Sequence, residues 1–280
     1  MYRRRNKLFS NLRRFVRANR KGLLITVLIV AAAAAVLFSM RHMAARNDYA
    51  SSFLNTKDAI TIGIRTDVPG FGEVDENGEI IGFDRDLIDL ILGRLIGSEE
   101  KIYSYVPLTS QNAGAALKYG VADICLGQLT SGMLQTNGFT LTDPYFRDRV
   151  VAVVPDNSQI VSIREVPGSI GLLTTAVPAE TARTELEAID MPTDLTSYSD
   201  YESALTDLTY GRISTVLMPY ETARQFTRDG YRILPEELFS IGYGILLPTG
   251  QDAVAAQFNA AIAQLQENGT IGALRTKWNV

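Results

Sequence analysis

The hydrophobic pattern begins with a basic segment followed by an uninterrupted apolar run. Residues 1–21 hold nine Lys or Arg and no acid, and residues 22–40 are almost entirely apolar, ending at Arg41. About 20 apolar residues span the hydrocarbon layer as a helix, and basic clusters stay on the cytoplasmic side. The pattern predicts a cytoplasmic segment (1–21), a single-pass transmembrane helix in the cell membrane (22–40) and a tether (41–57). A cleaved signal peptide is the alternative, although its apolar run is usually 7–15 residues.

After the tether, short apolar runs alternate with stretches of helical periodicity. Strands are predicted at 60–64, 102–106 and 122–126, with helices starting at 84 and at about 110. This strand–helix–strand order is typical of a wound α/β unit. The sequence predicts that residues 58–150, joined by 241–280, form a first lobe.

A second cycle of the same kind follows. Strands are predicted at 150–154, 170–173 and 213–218, with helices at about 177–188 and from Ser199 to 210. Ser199 with Glu202 has the spacing of a capping box at the start of that last helix. We assign residues 151–240 to a second lobe, so the predicted fold class is α/β with two lobes of similar build. An amphipathic helix is predicted at about 252–267.

Composition narrows the function. Beyond residue 21 there are eighteen basic and 31 acidic residues, and this acidic balance disfavours nucleic acid as a partner. The one cysteine, Cys125, lies in an apolar strand pattern, and a disulfide within the chain needs two. The one histidine, His42, lies beside the predicted membrane helix. We therefore expect neither a metal site nor a cofactor.

Five motifs in order resemble the type II periplasmic solute-binding proteins of polar amino-acid ABC importers. They are the segment 63–71, the G-F-D-x-D-L run at 82–87, the L-x-x-G-x-x-D-I run at 117–124, the T-D-P-Y turn at 142–145 and the closing G-T and K-W pairs at 269–270 and 277–278. The resemblance covers nearly all of residues 58–280. It implies two α/β lobes joined by two crossing strands, with the ligand in the cleft between them.

This resemblance implies a function. The chain is expected to capture a small polar, amino-acid-like solute outside the cytoplasm and to deliver it to ABC permease subunits. We expect a monomer that is not an enzyme. A ligand sensor or scaffold with a diverged pocket is one alternative. A dehydratase-like enzyme, as found among relatives on this fold, is another.

The resemblance leaves seven candidate residues at the mouth of the expected cleft. The candidate ligand-binding residues are Arg65, Asp67, Phe71, Gln128, Thr130, Gln135 and Tyr220. Arg65 is either a ligand contact or a solvated cation at the end of a strand. Phe71 either stacks on the ligand or packs its own loop.

Three positions depart from the family pattern. Gln135, Ala113 and Pro219 stand where relatives place an Arg, an Arg and an Asp. A charge-assisted contact in a closed cleft is strong, and a neutral residue does not replace it in full. We therefore predict that glutamate, glutamine, aspartate and basic amino acids bind weakly or not at all.

Overall fold

A computed structural model describes residues 53–96, 101–130, 138–227 and 230–280. The predicted cytoplasmic segment, the predicted transmembrane helix and most of the predicted tether lie outside these ranges. Within the described ranges, every helix is too short or too polar to cross a membrane. The last residues of the predicted tether form a short helix, in which Leu54 is completely buried.

The described helices fall mostly between strands, as the periodicity indicated. They are α1 (Phe53–Thr56), α2 (Phe83–Ile96), α3 (Ala113–Lys118), α4 (Ala179–Ala188), α5 (Tyr201–Thr209), α6 (Tyr220–Phe226), α7 (Asp252–Glu267) and α8 (Thr270–Trp278). Helix α2 shows the physical reason for this agreement. Its apolar residues Leu87, Ile88 and Ile91 recur at helical spacing and are all fully buried, as the amphipathic pattern requires.

The strands form two main sheets and one small hairpin. They are β1 (Ala59–Arg65), β2 (Glu73–Val74), β3 (Ile80–Ile81), β4 (Ile102–Leu108), β5 (Ile124–Leu126), β6 (Thr140–Leu141), β7 (Phe146–Pro155), β8 (Ile170–Leu173), β9 (Leu195–Tyr198), β10 (Thr215–Pro219), β11 (Tyr231–Ile233), β12 (Phe239–Tyr243) and β13 (Leu246–Leu247). Strands β2 and β3 pair only with each other.

The first sheet has the order β4-β1-β5-β13-β6. Strand β1 runs parallel to both neighbours, with Gly63 opposite Val106 on one side and Cys125 on the other. Its inward side chains Ile60, Ile62 and Ile64 are completely buried. Parallel strands with helical connections place their loops at one edge, so the loops after β1, β4 and β5 lie together.

The second sheet has the order β11-β7-β10-β8-β9, and β12 pairs with β7. Strands β8, β9 and β10 are mutually parallel neighbours, whereas β7 runs antiparallel to β10. The long strand β7 is apolar from 150 to 154, and all five of these residues are buried. The loops after β8, β9 and β10 therefore gather at one edge of this sheet as well.

The chain passes between the two sheets twice, once between β6 and β7 and once between β12 and β13. These crossing segments are hydrogen-bonded to each other: the Tyr145 amide donates to the Tyr243 carbonyl at 2.9 Å, and the Thr142 amide donates to the Ile245 carbonyl at 3.0 Å. The predicted α/β class with two lobes is confirmed. The predicted lobe limits at 150/151 and 240/241 fall inside β7 and β12.

An aromatic cluster lies against the crossing segments. Its members are Phe71, Phe83, Tyr145, Phe146 and Tyr243, all almost completely buried. Phe71 meets Phe146 edge to face at a centroid distance of 4.9 Å, and Phe146 stacks on Tyr243 at 5.7 Å. Edge-to-face and offset pairs add stabilisation beyond the area they bury. The cluster therefore packs residues of the first lobe against the crossing strands.

Candidate functional site

A cavity of about 300 Å³ lies where the loops of the two sheets meet. The first lobe contributes Arg65 at the end of β1, Asp67 in the loop after it and Gln128 after β5. The second lobe contributes Thr175, Tyr201 and Thr222, which follow β8, β9 and β10. Ligands of α/β sheets bind at the carboxyl ends of the strands. We call this space the cleft cavity and treat it as the candidate site.

Arg65 and Asp67 form a paired charge at the end of β1. The Arg65 Nε and Nη2 atoms donate to the two Asp67 carboxylate oxygens at 3.0 and 3.2 Å, and Nη1 donates to the Gly127 carbonyl at 3.1 Å. The Arg65 side chain is 11% exposed. Gly127 has φ of +117° and lies so close that a Cβ there would collide with Arg65. A glycine at this position therefore lets the loop approach the backbone and the first side-chain carbons of Arg65 closely.

Gln128 follows Gly127 and reaches across the cleft. Its side-chain oxygen accepts a hydrogen bond from the Thr222 hydroxyl at 3.1 Å, which links the two lobes. The residue is 4% exposed, and its amide nitrogen Nε2 has no hydrogen-bond partner among the described residues. A buried donor without a partner is rare in proteins and calls for a ligand or water.

Tyr201 faces the cavity from the second lobe and was not among the predicted site residues. Its ring packs beside Phe226 at a centroid distance of 5.9 Å. Its buried hydroxyl has no partner in the part of the chain that the structure describes, and burial raises its pKa above the usual value. The available sequence signal was its position at the start of the predicted helix, close behind the capping residues.

The cap of that helix differs from the prediction. Asp200, rather than Ser199, is the N-cap of α5, and its carboxylate accepts from the Ser203 amide at 2.7 Å. The Ser199 hydroxyl also donates to Asp200, at 2.8 Å. These hydrogen bonds lower the pKa of Asp200. Asp and Ser are equally good caps, so the sequence alone did not separate them.

Three other predicted residues, Thr130, Tyr220 and Phe71, do not line the cleft cavity. Thr130 is 2% exposed and donates to the Thr175 carbonyl at 3.2 Å, a second link between the lobes. Tyr220 lies beneath the Arg149 guanidinium at 3.7 Å. Phe71 is 1% exposed inside the aromatic cluster. Gln135 lies outside the described residues. The structure thus brings Arg65, Asp67 and Gln128 together at the cavity.

Two buried carboxylates lie beside the crossing segments. Burial raises the pKa of Asp84 to about 7, and the nearby Tyr145 hydroxyl and Arg65 charge counteract this only in part. Neither Asp84 oxygen has a hydrogen bond among the described residues. Burial also raises the pKa of Asp148, whose carboxylate accepts from the Tyr243 hydroxyl at 2.8 Å. The region around the crossing strands is therefore sensitive to protonation.

The described residues contain no group of three His, Cys, Asp or Glu side chains placed to hold a metal ion. Burial raises the pKa of Cys125 to about 12. A buried thiol of this kind is an inert core residue.

The fold and the inter-lobe cavity define a two-lobed, periplasmic-binding-protein-like molecule. Residues 60–280 match the family described as bacterial extracellular solute-binding proteins, family 3. The chain belongs to this family, which confirms the resemblance seen in the motifs.

Individual relatives are distant. The ABC transporter glutamine-binding protein GlnH of Bacillus subtilis is 24% identical over 230 residues, which cover 80% of this chain and 82% of that protein. A substrate-binding protein of an ABC uptake transporter from Streptococcus pneumoniae, solved with bound histidine, has a TM-score of 0.61 at 18% identity and covers 82% of this chain and 96% of its own. The ancestral amino acid-binding protein AncCDT-1, a precursor of cyclohexadienyl dehydratase, has a TM-score of 0.61 at 20% identity and covers 81% and 99%. At such identities the solved structures show a shared fold.

Proposed function

We propose that this protein is a receptor that captures a small polar, amino-acid-like solute in the cleft cavity and delivers it to the permease subunits of an ABC importer. The single observation that carries the proposal is the cavity itself, lined by strand-end loops from both sheets. The relatives that are named as glutamine-binding and histidine-bound transport proteins support an amino-acid-sized ligand.

Closure of the two lobes on the ligand is part of this proposal. The lobes are residues 58–150 with 241–280, and residues 151–240. Several hydrogen bonds cross between them, among them those from Thr130 to Thr175, from Thr222 to Gln128 and from Arg224 to the Asn279 carbonyl. Hinge closure around ligands is a common transition in two-lobed proteins. Small-angle scattering of the protein is expected to show a two-lobed monomer that becomes more compact when a ligand is added.

We assign the binding role first to Arg65, Asp67 and Gln128, which line the cavity, and add Tyr201 to them. Thr130 acts at the closure contact, and Gln135 and Tyr220 remain predicted contacts. Phe71 is better explained by packing, because its ring is enclosed by other rings. Alanine substitution of Gln128 is expected to weaken ligand binding at least tenfold. Tyr119→Ala, at an exposed residue, is the control and is expected to leave binding unchanged.

We further propose that residues 22–40 anchor the protein in the cell membrane, with residues 1–21 in the cytoplasm and the binding lobes outside it. Residues 1–21 hold nine basic and no acidic side chains directly before the apolar run, which supports this orientation. Mass spectrometry of the native protein is expected to find residues 1–21 on the same intact chain as the lobes. A mature chain that begins near Asn47 and has no membrane-bound form would contradict the anchor.

The proposed role is binding rather than catalysis. The candidate cavity offers neither a nucleophile beside a base nor a metal cluster among its described residues. The relationship to a dehydratase precursor is a likeness of fold, and function resides in the site. Transport is tested by deleting the gene and measuring uptake of the bound solute. Unchanged uptake with an intact binding activity would favour the sensor alternative.

A further inference from the structure

Three large apolar side chains are exposed at one edge of the first sheet. They are Ile102, Tyr119 and Val121, which are 68%, 75% and 57% exposed. Ile102 begins β4, and Tyr119 and Val121 lie between the end of α3 and the start of β5. Exposed apolar residues that occur singly are normal in soluble proteins, whereas a group of them at one place marks an interaction surface. We call these three residues the edge patch.

The strand register brings the members of the edge patch close together. Ala59, the exposed first residue of β1, lies directly opposite Ile102. On the other side of β1, the Asp123 amide donates to the Thr61 carbonyl at 2.7 Å, so Val121 lies near the start of β1. Neighbouring strands are about 4.8 Å apart. The edge patch therefore lies at the amino ends of β1, β4 and β5, whereas the cleft cavity lies at their carboxyl ends.

The described chain enters the first lobe at this same edge. Leu54 in α1 is completely buried, so this short helix is packed onto the lobe. The Lys57 side chain donates to the Asp123 carboxylate, and the Lys101 side chain donates to the Lys57 carbonyl at 3.0 Å. These contacts hold the end of the predicted tether against the starts of β1, β4 and β5.

The tether limits how far this edge can lie from the predicted membrane helix. Residues 41–52, twelve in all, separate that helix from α1. A fully extended segment of this length spans at most about 40 Å. Tethering over such a distance gives the edge patch a high local concentration at the bilayer. A contact too weak to form between separate molecules is therefore populated here.

The charges near the edge patch include both signs. The Lys118 ammonium lies over the Tyr119 ring at 5.6 Å. In the sequence, the two glutamates at 99–100 directly precede Lys101, and Asp58 is exposed. The attraction to a surface is therefore expected to come from the apolar and aromatic side chains rather than from net charge. Tyr rings and Lys stems suit the boundary between water and lipid, because each has an apolar body and a polar tip.

We propose that the edge patch rests on the outer surface of the cell membrane, with its side chains among the lipid headgroups. This inference rests on the membrane anchor of the proposed function. Removing the exposed apolar side chains from water supplies the favourable free energy of the contact. Because the edge patch and the cleft cavity lie at opposite edges of the first sheet, the contact leaves the cavity open to solvent for capture of a solute.

The test uses the full chain in liposomes of neutral and anionic phospholipids that include a lipid with a nitroxide on its headgroup. A fluorophore on Lys118→Cys reports on the edge patch, and one on Thr209→Cys is the matched control in the second lobe. Both positions end a helix and directly precede an exposed tyrosine. Cys125 is buried and burial raises its pKa to about 12, so its thiol is not expected to take the label.

The label at 118 is expected to lose fluorescence to the nitroxides, and the label at 209 is expected to keep it. Equal fluorescence of the two labelled proteins, in liposomes that carry the chain on flotation, overturns this inference and leaves the anchor intact. A chain that does not float with the liposomes overturns the anchor and this inference together.

A further variant tests the assigned side chains in the protein labelled at 118. Ile102→Ser combined with Val121→Ser removes apolar surface at two exposed positions and is expected to restore the fluorescence. Val161→Ser, at a residue of the second lobe that is 61% exposed, is the control and is expected to leave the quenching unchanged. Quenching that persists in the double variant overturns the assignment of the contact to the edge patch.

Discussion

The aromatic cluster beside the crossing strands and the cleft cavity differ in how closely they are packed. In the cluster, the rings of Phe71, Phe83 and Phe146 pack against one another and leave almost no exposed surface. The cavity instead leaves about 300 Å³ of space between loops of the two sheets. Buried polar atoms without a partner among the described residues occur in both regions, Tyr145 Oη in the cluster and Tyr201 Oη at the cavity. Packing, rather than hydrogen bonding, therefore separates the region that has room for a ligand from the one that has none.

Phe71→Ala probes the cluster and is expected to have the largest effect on stability. The ring contacts three other rings and is fully enclosed, so its removal leaves a cavity. We expect the free energy of unfolding to fall by about 5 kcal/mol in urea titration. Tyr119→Ala, at a residue that is 75% exposed, is the control and should change stability little. A small loss at Phe71 would show that its ring is not part of the core.

Asp84 is the exception within this apolar region, because it is a buried carboxyl group. Its pKa is about 7 in the folded protein against an ordinary value of 3.8. The folded state therefore holds the proton more tightly than the unfolded state. The stabilisation is fully present below about pH 4 and is lost as the pH rises to about 7, by about 4 kcal/mol in all.

Asp84→Asn removes this titration while keeping the shape of the side chain. Between pH 4 and pH 8, the free energy of unfolding of the wild type is expected to fall with rising pH more steeply than that of the variant. Subtracting the variant's free energies from those of the wild type separates the contribution of Asp84 from that of Asp148, whose pKa is also raised by burial. Parallel pH profiles for the two proteins would mean that Asp84 ionises normally.

Thr130→Val tests the link that closes the cavity and is expected to have the smallest effect on stability. The substitution removes the hydroxyl that donates to the Thr175 carbonyl across the lobes. We expect a loss of about 1 kcal/mol and a weaker ligand-induced compaction in small-angle scattering. Thr276→Val is the control, because that hydroxyl bonds the Gly272 carbonyl within its own helix. Equal ligand-induced compaction in both variants would show that the Thr130 hydroxyl does not contribute to closure.

The sequence could predict the fold class and part of the candidate site. The α/β class followed from the spacing of apolar residues along the sequence, as at Leu87, Ile88 and Ile91 of α2. Arg65 and Gln128 were found through the resemblance to solute-binding proteins, which placed the ligand in the cleft between the lobes. The surroundings of Phe71 and Tyr201 were not found, because the direction in which a side chain points at the end of an element or in a loop depends on the packing of the fold around it. Neither periodicity nor composition contains that information.

A crystal structure with a small polar solute that the protein binds tests the central claim most directly. We expect electron density for the solute in the cleft cavity, with contacts to residues of both lobes. A solute bound outside this cavity, or held by one lobe alone, would contradict this expectation.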